Sequence, residues 1–381
     1  MCYRELALAL VLVATAHATT IRVPGDEPTI QAGLNAAGEG DTVLVAPGTY
    51  TAEGDKNLDF GGVDRVLVSE AGAEGTEIDC DWDGGGLYFH SGESAASIVS
   101  GFTISWAGDW GPPRPCQSGI CCESSSSPTI TECVIKLGAW NEIDCEDSSP
   151  TISKCVIGSA DQSYGSGIAC QSSSSPLVKE CTIVGNNEAG VACSSSSSPS
   201  LIRCTITGNG RDFHGGGVTC YNASPILTGC LITENMAGGR GGGLYCEDSS
   251  PSLTNCTISG NISIIDVGGG LYCSDSSPVL LNCILWGDDP NEIEGGTPVL
   301  RYCDVEGGHT GEGNIDADPR FRSIYGYDYV LASNSPCIDS GDPTIEDGIS
   351  DWHPRWPNWY ANGARSDMGA YGGPGNGGWL P

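Results

Sequence analysis

A repeated unit of 22 to 27 residues is the feature that most constrains how this chain folds. The unit recurs seven times between residues 119 and 288, and each copy holds two cysteines with a proline between them. The proline and the second cysteine are always five residues apart, whereas the copies differ in length within a serine-rich turn and a glycine-rich loop. Fixed spacing at one point and variable spacing at two others predict stacked units joined by surface turns.

Apolar residues in each unit occupy positions i and i+2 of short runs, which is the period of a β-strand. In one copy, Ile168 stands two residues before the first cysteine, Val178 two after the proline and Ile183 two after the second cysteine. The proline in every copy and the shortness of the runs exclude helices. We therefore predict an all-β fold, a parallel β-helix (solenoid) of about ten coils, over residues 41–310.

The flanking segments extend this prediction. Residues 86–105 resemble a degenerate unit in which Phe89 and Phe102 replace the two cysteines, which indicates that both positions face inward. Residues 28–50 predict a short amphipathic helix followed by a strand. We assign residues 19–40 to an N-terminal helical cap that covers the first coil, and 311–381 to an irregular C-terminal cap, the closing segment.

Asparagine stands five residues after the second cysteine in four successive units, at Asn186, Asn209, Asn235 and Asn261. Stacking would align these side chains, and amide groups can bond the coils above and below. We predict an asparagine ladder along the axis.

The chain resembles secreted bacterial right-handed parallel β-helix repeat proteins of the pectin-lyase-like superfamily. The resemblance rests on the repeats, on PTIQAGLNAAGEGDTVLVAPGTY at 28–50, and on DADPRF at 316–321 and SDMGAYGG at 366–373 near the end. The resemblance covers nearly all of the chain after its first 18 residues and implies a right-handed β-helix. It implies little about activity, because this scaffold carries lyases, hydrolases, esterases and adhesins.

The first residues predict export. Arg4 precedes the apolar run LALALVLVATA, and small residues at Ala16 and Ala18 suit a signal peptidase. We assign residues 1–18 to a signal peptide, with Thr19 as the first mature residue, and expect a secreted, extracellular or cell-surface protein. The apolar run is too short to span a bilayer, and no later stretch approaches a membrane span.

Charge narrows the choice of partners. The formal net charge is -32, from 16 Lys and Arg against 48 Asp and Glu, which disfavours nucleic acid. We expect a monomer, with a polysaccharide or cell-surface glycan as the candidate partner.

The paired cysteines leave two alternatives open. Twenty cysteines fit an oxidising compartment and favour one disulfide within each of the seven coils. The alternative is two columns of free thiols that pack as small apolar groups. The fourteen candidates for bridges are Cys122 with Cys133, Cys145 with Cys155, Cys170 with Cys181, Cys193 with Cys204, Cys220 with Cys230, Cys246 with Cys256, and Cys273 with Cys283.

One column of loop residues could carry catalysis. Six residues before the first cysteine of four successive units stand Tyr164, Asn187, His214 and Arg240. A histidine or tyrosine base beside an arginine would suit a polysaccharide lyase, and nearby Glu234 with Asp212 could instead form a glycosidase pair. The alternative is a variable rim of unrelated residues. The sequence lacks the catalytic signatures of pectinesterases, pectate lyases and polygalacturonases.

The sequence suggests a calcium loop in an acidic segment, and no cofactor is required. The segment DCDWDG places Asp79, Asp81 and Asp83 at spacings typical of such loops. The twelfth position holds His90 instead of the bidentate glutamate, so a plain acidic turn is the alternative.

Aromatic residues suggest glycan binding. Tyr88, Tyr245 and Tyr272 each stand one residue before an inward position and should point outward, with Trp286 nearby. We therefore expect a binding or structural module for which glycans are candidate ligands. The alternatives are a polysaccharide lyase or glycoside hydrolase using the loop rim, and a passive adhesive or spacer rod.

Overall fold

Three parallel sheets wind around a common axis in the computed structural model, which describes residues 18–109, 116–159, 165–211, 214–265, 267–324, 327–347 and 363–373. Sheets A, B and C have 12, 11 and 10 strands, and each coil contributes one short strand to each sheet in turn. Every pairing within these sheets is parallel and in register, as between Ile168–Gln171 and Val191–Ser194. The predicted all-β parallel β-helix of about ten coils is confirmed.

The strands are short, as the spacing requires. Sheet A comprises Thr20–Val23, Thr42–Val45, Val66–Ser69, Ile98–Ser100, Thr129–Thr131, Thr151–Ser153, Leu177–Lys179, Ser200–Ile202, Ile226–Thr228, Ser252–Thr254, Val279–Leu281 and Val299–Arg301. Sheet B comprises Gly48–Tyr50, Thr76–Asp79, Thr103–Ser105, Val134–Lys136, Val156–Ile157, Thr182–Val184, Thr205–Thr207, Leu231–Thr233, Thr257–Ser259, Ile284–Trp286 and Asp304–Val305. Sheet C comprises Leu58–Asp59, Leu87–Phe89, Ile120–Cys122, Ile143–Glu146, Ile168–Gln171, Val191–Ser194, Val218–Tyr221, Leu244–Glu247, Leu271–Ser274 and Ile293–Gly295.

Three small strand pairs and two short helices complete the described structure. The pairs are Asp83–Gly84 with Gly108–Asp109, Met236–Ala237 with Ile262–Ser263, and Phe321–Ile324 with Tyr327–Leu331. The helices are an α-helix at Ile30–Ala36 and a 3₁₀-helix at Glu53–Asp55.

The core is the inner surface of the three sheets. The predicted apolar positions, such as Ile168, Val178 and Ile183, are fully buried. Phe89 pairs in register with Cys122, which confirms that phenylalanine takes an inward cysteine position. Equivalent inward residues of adjacent coils stack on one another. Loops of unequal length are tolerated between the strands, because each coil contacts only its neighbours.

The N-terminal helix packs on the first strands of sheet A. Thr29 caps it by accepting the Ala32 N–H at 3.2 Å, and Ile30 and Leu34 enter the core. A Cβ on Gly33 would lie 2.9 Å from the side chains of Val23 and Val43, so glycine permits this close approach.

The closing segment folds back along the outside of sheet B. Val330, Leu331 and Tyr371 form an apolar cluster with Leu231 and Ile284, whose strands belong to that sheet. Ala370 N also donates to Thr257 Oγ1 at 3.0 Å, across 113 residues of sequence. The segment therefore covers an outer face in addition to following the last coil.

The predicted disulfides within coils are wrong: all fourteen candidate cysteines are buried free thiols. First cysteines lie in sheet C, as Cys145 does beside Cys170, whereas second cysteines precede sheet B strands, so each column stacks on itself along the axis. Thiols of the second column donate to the carbonyl two residues earlier, as Cys155 does to Ser153 at 3.2 Å. The described residues contain one disulfide, Cys116–Cys121, which the repeat did not indicate.

The asparagine ladder is present as predicted. Asn186, Asn209 and Asn235 each donate Nδ2–H to Oδ1 of the asparagine in the next coil, at 2.8, 3.0 and 3.0 Å. Each backbone N–H donates to the same Oδ1, and Asn235 is completely buried. A Cβ on Gly217 would lie 3.0 Å from Asn235 Nδ2, so glycine there leaves room for the ladder.

Candidate functional site

An open groove of about 360 Å³ lies on the outer face of sheet C. Its floor is formed by Ala169 and Ala192, which stand in register on adjacent strands. In the same outward column, Asp144 precedes them and Thr219 and Tyr245 follow, so two small residues lie between larger ones. The residues that line the groove are Asn141, Ser166, Ala169, Cys170, Gln171, Glu188, Ala189, Ala192, Cys193, Ser194, His214, Thr219 and Tyr221.

One wall of the groove is a hydrogen-bonded chain that links two carboxylates. Asn141 Nδ2 donates to Asp144 Oδ2 at 3.2 Å, and Ser166 N donates to Asn141 Oδ1 at 3.0 Å. Ser166 Oγ in turn donates to Glu188 Oε2 at 3.3 Å. Burial raises the pKa of Asp144, against the effect of its hydrogen bonds, and its Oδ1 is buried without a hydrogen-bond partner. Among the described residues, this wall presents acceptors and amides but no ammonium or guanidinium group.

The opposite wall is aromatic. His214 stacks on Tyr245 with centroids 4.7 Å apart, and Tyr245 stacks on Tyr272 at 5.5 Å. Tyr221 meets Tyr245 at 5.3 Å and is 40% exposed, so it is the tyrosine that offers a free face beside the groove. Tyr245 is only 4% exposed because its neighbours cover it. Burial raises the pKa of Tyr221 and Tyr245, so both stay protonated at neutral pH.

The tautomer of His214 is fixed by its neighbour. The backbone N–H of Arg240 donates to His214 Nδ1 at 2.8 Å, so Nδ1 must be an unprotonated acceptor and Nε2 carries the hydrogen. Burial, with the charge of Arg240, lowers the pKa of His214. The ring is therefore a neutral hydrogen-bond donor whose lone pair is already engaged, which is a poor arrangement for a general base.

Two of the four predicted catalytic residues lie together. His214 and Arg240 are adjacent, and Arg240 Nη1 donates to Tyr272 OH at 2.8 Å with the guanidinium 4.9 Å from the ring centroid. Asn187 is half-buried next to Glu188 but is not among the residues lining the groove. Tyr164 lies outside the described residues.

The glycosidase pair suggested by the sequence is not formed by described residues, since Asp212 lies outside them. Glu234 accepts a hydrogen bond from Tyr329 OH of the closing segment at 3.3 Å, on the sheet B side.

The predicted glycan-binding aromatics do not form one surface. Tyr245 and Tyr272 are in register beside the groove, as expected. Tyr88 belongs to the same outward column but lies six rungs from Tyr245, about 29 Å at 4.8 Å per rung, where it stacks on His90 at 4.2 Å. Trp286 is on sheet B and packs against the closing segment.

The three aspartates suggested for calcium make contacts of their own. Asp83 pairs with Lys56 Nζ at 3.2 Å, and Asp79 Oδ1 accepts the Asp81 N–H at 2.9 Å. Across the described ranges, no group of three or more His, Cys, Asp or Glu residues is arranged to hold a metal ion. Calcium binding there stays a prediction.

Sequence reasoning missed most of the groove. The floor was visible in principle, since the residue before the first cysteine is alanine only at Ala169 and Ala192. Asn141, Ser166 and Glu188 come from loops of unequal length, so counting from the cysteines could not align them.

Fold and groove together define a class of protein: a right-handed parallel β-helix with an open groove on one sheet. The family of the right-handed β-helix region matches residues 68–201 and 118–285, and the chain belongs to this family. No curated protein matches the chain in sequence. No helix among the described residues is long and apolar enough to cross a membrane.

Solved structures share the fold at low identity. The crystal structure of pectate lyase Pel9A has a TM-score of 0.63 and 13% identity over 94% of this chain and 97% of that chain. The mannuronan C-5 epimerase AlgE6 A-module of Azotobacter vinelandii has a TM-score of 0.38 and 16% identity over 76% of this chain and 94% of that chain. The complex of XylC with xylose also has a TM-score of 0.38, with 11% identity over 76% of this chain and 55% of that chain. The likeness to Pel9A agrees with the predicted parallel β-helix fold, and the two lower scores carry no argument.

Proposed function

We propose that this is an exported carbohydrate-binding protein that holds one or two sugar units of a neutral glycan in the groove on sheet C. The observation that carries the proposal is the alanine floor between a polar wall and an aromatic wall. Sugars need a flat surface for their C–H faces and hydrogen-bonding groups around their hydroxyls. Tyr221 and the alanines offer the first, and Asn141, Ser194 and the His214 Nε2–H offer the second.

Charge favours a neutral ligand over a uronate. Asp144 and Glu188 border the groove, and the chain as a whole carries -32. An anionic sugar would meet the carboxylate of Glu188, with that of Asp144 behind Asn141, while the Arg240 guanidinium is engaged with Tyr272. The resemblance in fold to a pectate lyase supports carbohydrate as the ligand class without specifying the sugar.

Glycoside hydrolysis is the second candidate, favoured by the raised pKa of Asp144 and by the hydrogen-bonded chain that connects it to Glu188. Asp144 would supply a proton and Glu188 would accept one from water. We place it second because Asp144 Oδ1 is buried beneath the groove surface. Formation of new reducing ends, abolished by Asp144→Asn, would establish hydrolysis in place of simple binding.

Filling the floor of the groove should weaken glycan binding. We expect Ala192→Gln to weaken calorimetric binding of gluco-, xylo- or manno-oligosaccharides by about tenfold or more, because the longer side chain occupies the space of a sugar ring. Ser252→Gln is the matched control, since Ser252 is exposed on sheet A, away from the groove. Equal affinities in the two variants would place the site elsewhere, and no binding by the wild type would favour a structural rod.

Binding should depend on pH in one direction. Since the pKa of His214 is lowered, we expect affinity to stay constant from pH 8 to about pH 6.5 and to fall in more acidic solution. Protonation at Nδ1 would break its bond with the Arg240 N–H and disturb the aromatic wall. His214→Gln should bind without this acid loss. An affinity that rises on acidification would contradict the assigned tautomer.

A further inference from the structure

The asparagine ladder ends at two buried carboxyl groups. Asp288 occupies the ladder position of its coil: its Oδ1 accepts Asn261 N at 2.7 Å and Asn261 Nδ2 at 2.8 Å. Its backbone N–H then donates to Glu292 Oε1 at 3.1 Å, as each asparagine N–H donates to the next ladder residue. Glu292 therefore takes the place that the following ladder side chain would fill. Asp288 is 7% exposed and Glu292 6%.

The junction lacks a hydrogen. Asn209, Asn235 and Asn261 each accept from the preceding ladder residue and donate Nδ2–H to the next one, but an ionised aspartate can only accept. A Cβ on Gly270 would lie 2.6 Å from Asp288 Oδ2, as one on Gly243 would lie 3.1 Å from Asn261 Nδ2, so Oδ2 stands where an amide nitrogen stands in the other coils. Asp288 Oδ2 and Glu292 Oε2 are both buried without a hydrogen-bond donor.

We propose that Asp288 and Glu292 form a proton-binding site in which one shared proton supplies the hydrogen bond that the ladder lacks, so that the last coils are held more firmly when this proton is bound. A buried pair of ionised carboxylates would otherwise pay for both desolvation and mutual repulsion. The carboxylate of Glu306 adds to the repulsion at both groups, and the hydroxyl of Tyr329 lies within the electrostatic reach of Asp288. Asp289, on the loop between Asp288 and Glu292, and Glu294, on the sheet C strand that follows, are acidic and cannot neutralise the pair.

The expected pH dependence of stability follows from the raised pKa values of the two carboxyl groups. Burial raises the pKa of Asp288 to about 6 and that of Glu292 to about 10, and these are apparent values of the coupled pair. Carboxyl groups in the unfolded chain titrate near 4, so above that pH the folded state binds more protons than the unfolded state. Stability from this site is therefore complete in acid and is lost as pH rises towards 10.

The test compares wild type with Asp288→Asn and Glu292→Gln by urea unfolding at several pH values. Between about pH 7 and pH 9, each pH unit should raise the equilibrium constant for unfolding of the wild type by a factor about ten times larger than in either variant. This difference corresponds to one additional proton bound by the folded wild type. An amide at either position supplies the missing hydrogen, so both variants should fold. Glu306→Gln is the control. It removes the smallest of the causes that raise the pKa values of the pair but leaves the shared proton, so the one-proton slope should remain; Glu306 itself accepts the Gly287 N–H outside the ladder.

Two further measurements decide the outcome. A protonated-carboxyl C=O band in the infrared spectrum of native protein at pH 8, absent from Asp288→Asn, is expected. Equal slopes in wild type and variants together with no such band would overturn the proposal. Stabilisation of wild type at pH 8 by Ca²⁺ or Mg²⁺, lost in Asp288→Asn, would also overturn it, because the site would then bind a cation in place of a proton.

Discussion

Seventeen thiol groups should react with a thiol reagent when residues 19–381 are unfolded in guanidinium chloride without reductant. The chain has 20 cysteines, Cys2 precedes this segment, and Cys116 and Cys121 are joined, which leaves seventeen. Before denaturant is added almost none should react, because all seventeen are buried. Burial also raises the pKa of thiols such as Cys230 and Cys256, which keeps them protonated and unreactive.

Cysteine variants make this count specific. Cys116→Ser should raise it to eighteen by freeing Cys121, and Cys80→Ser should lower it to sixteen. A count of three in the unfolded wild type would mean that the seven bridges within coils form after all. A count of seventeen also bears on folding: without bridges within the coils, stability must come from packing and hydrogen bonds along the stack.

Replacing Asn235 by alanine should cost about 2–6 kcal/mol in the free energy of unfolding, measured in urea at constant pH. The change removes the acceptor of the Asn209 N–H and the donor to Ile206 O, which bonds Asn235 Nδ2 at 2.9 Å. Both groups lie in the interior where water cannot replace the lost partner. The penalty for an unsatisfied buried group, about 1–3 kcal/mol each, sets this range.

Asn187→Ala is the matched control for this loss. Asn187 is the same residue type on the half-buried rim and is not a member of the ladder, so its replacement should change stability by less than about 0.5 kcal/mol. Similar losses in the two variants would show that the ladder contributes no more than an ordinary surface amide.

Constant spacing made the inside of this protein predictable. The i, i+2 pattern identified buried residues such as Ile183, and the five-residue offset identified the ladder, because both lie in strands or turns of fixed length. The disulfide prediction failed because a repeat shows which residues share a column but not how far apart two columns lie. The groove was mostly unpredictable for a related reason: its floor at Ala169 and Ala192 follows the repeat, whereas Asn141 and Glu188 come from loops of different length.

The amide ladder also has an electrical consequence. From Asn186 to Asn261 one N–H of every side-chain amide donates to the next coil, on the C-terminal side, and the backbone N–H groups beside them do the same. Aligned amides add their dipoles, as peptide groups do in a helix, and place partial positive charge at the last member. That end meets Asp288, whose site keeps one negative charge when a single proton is shared. The interior of this strongly acidic protein thus contains a polarised column of neutral groups that favours an anion at one end only.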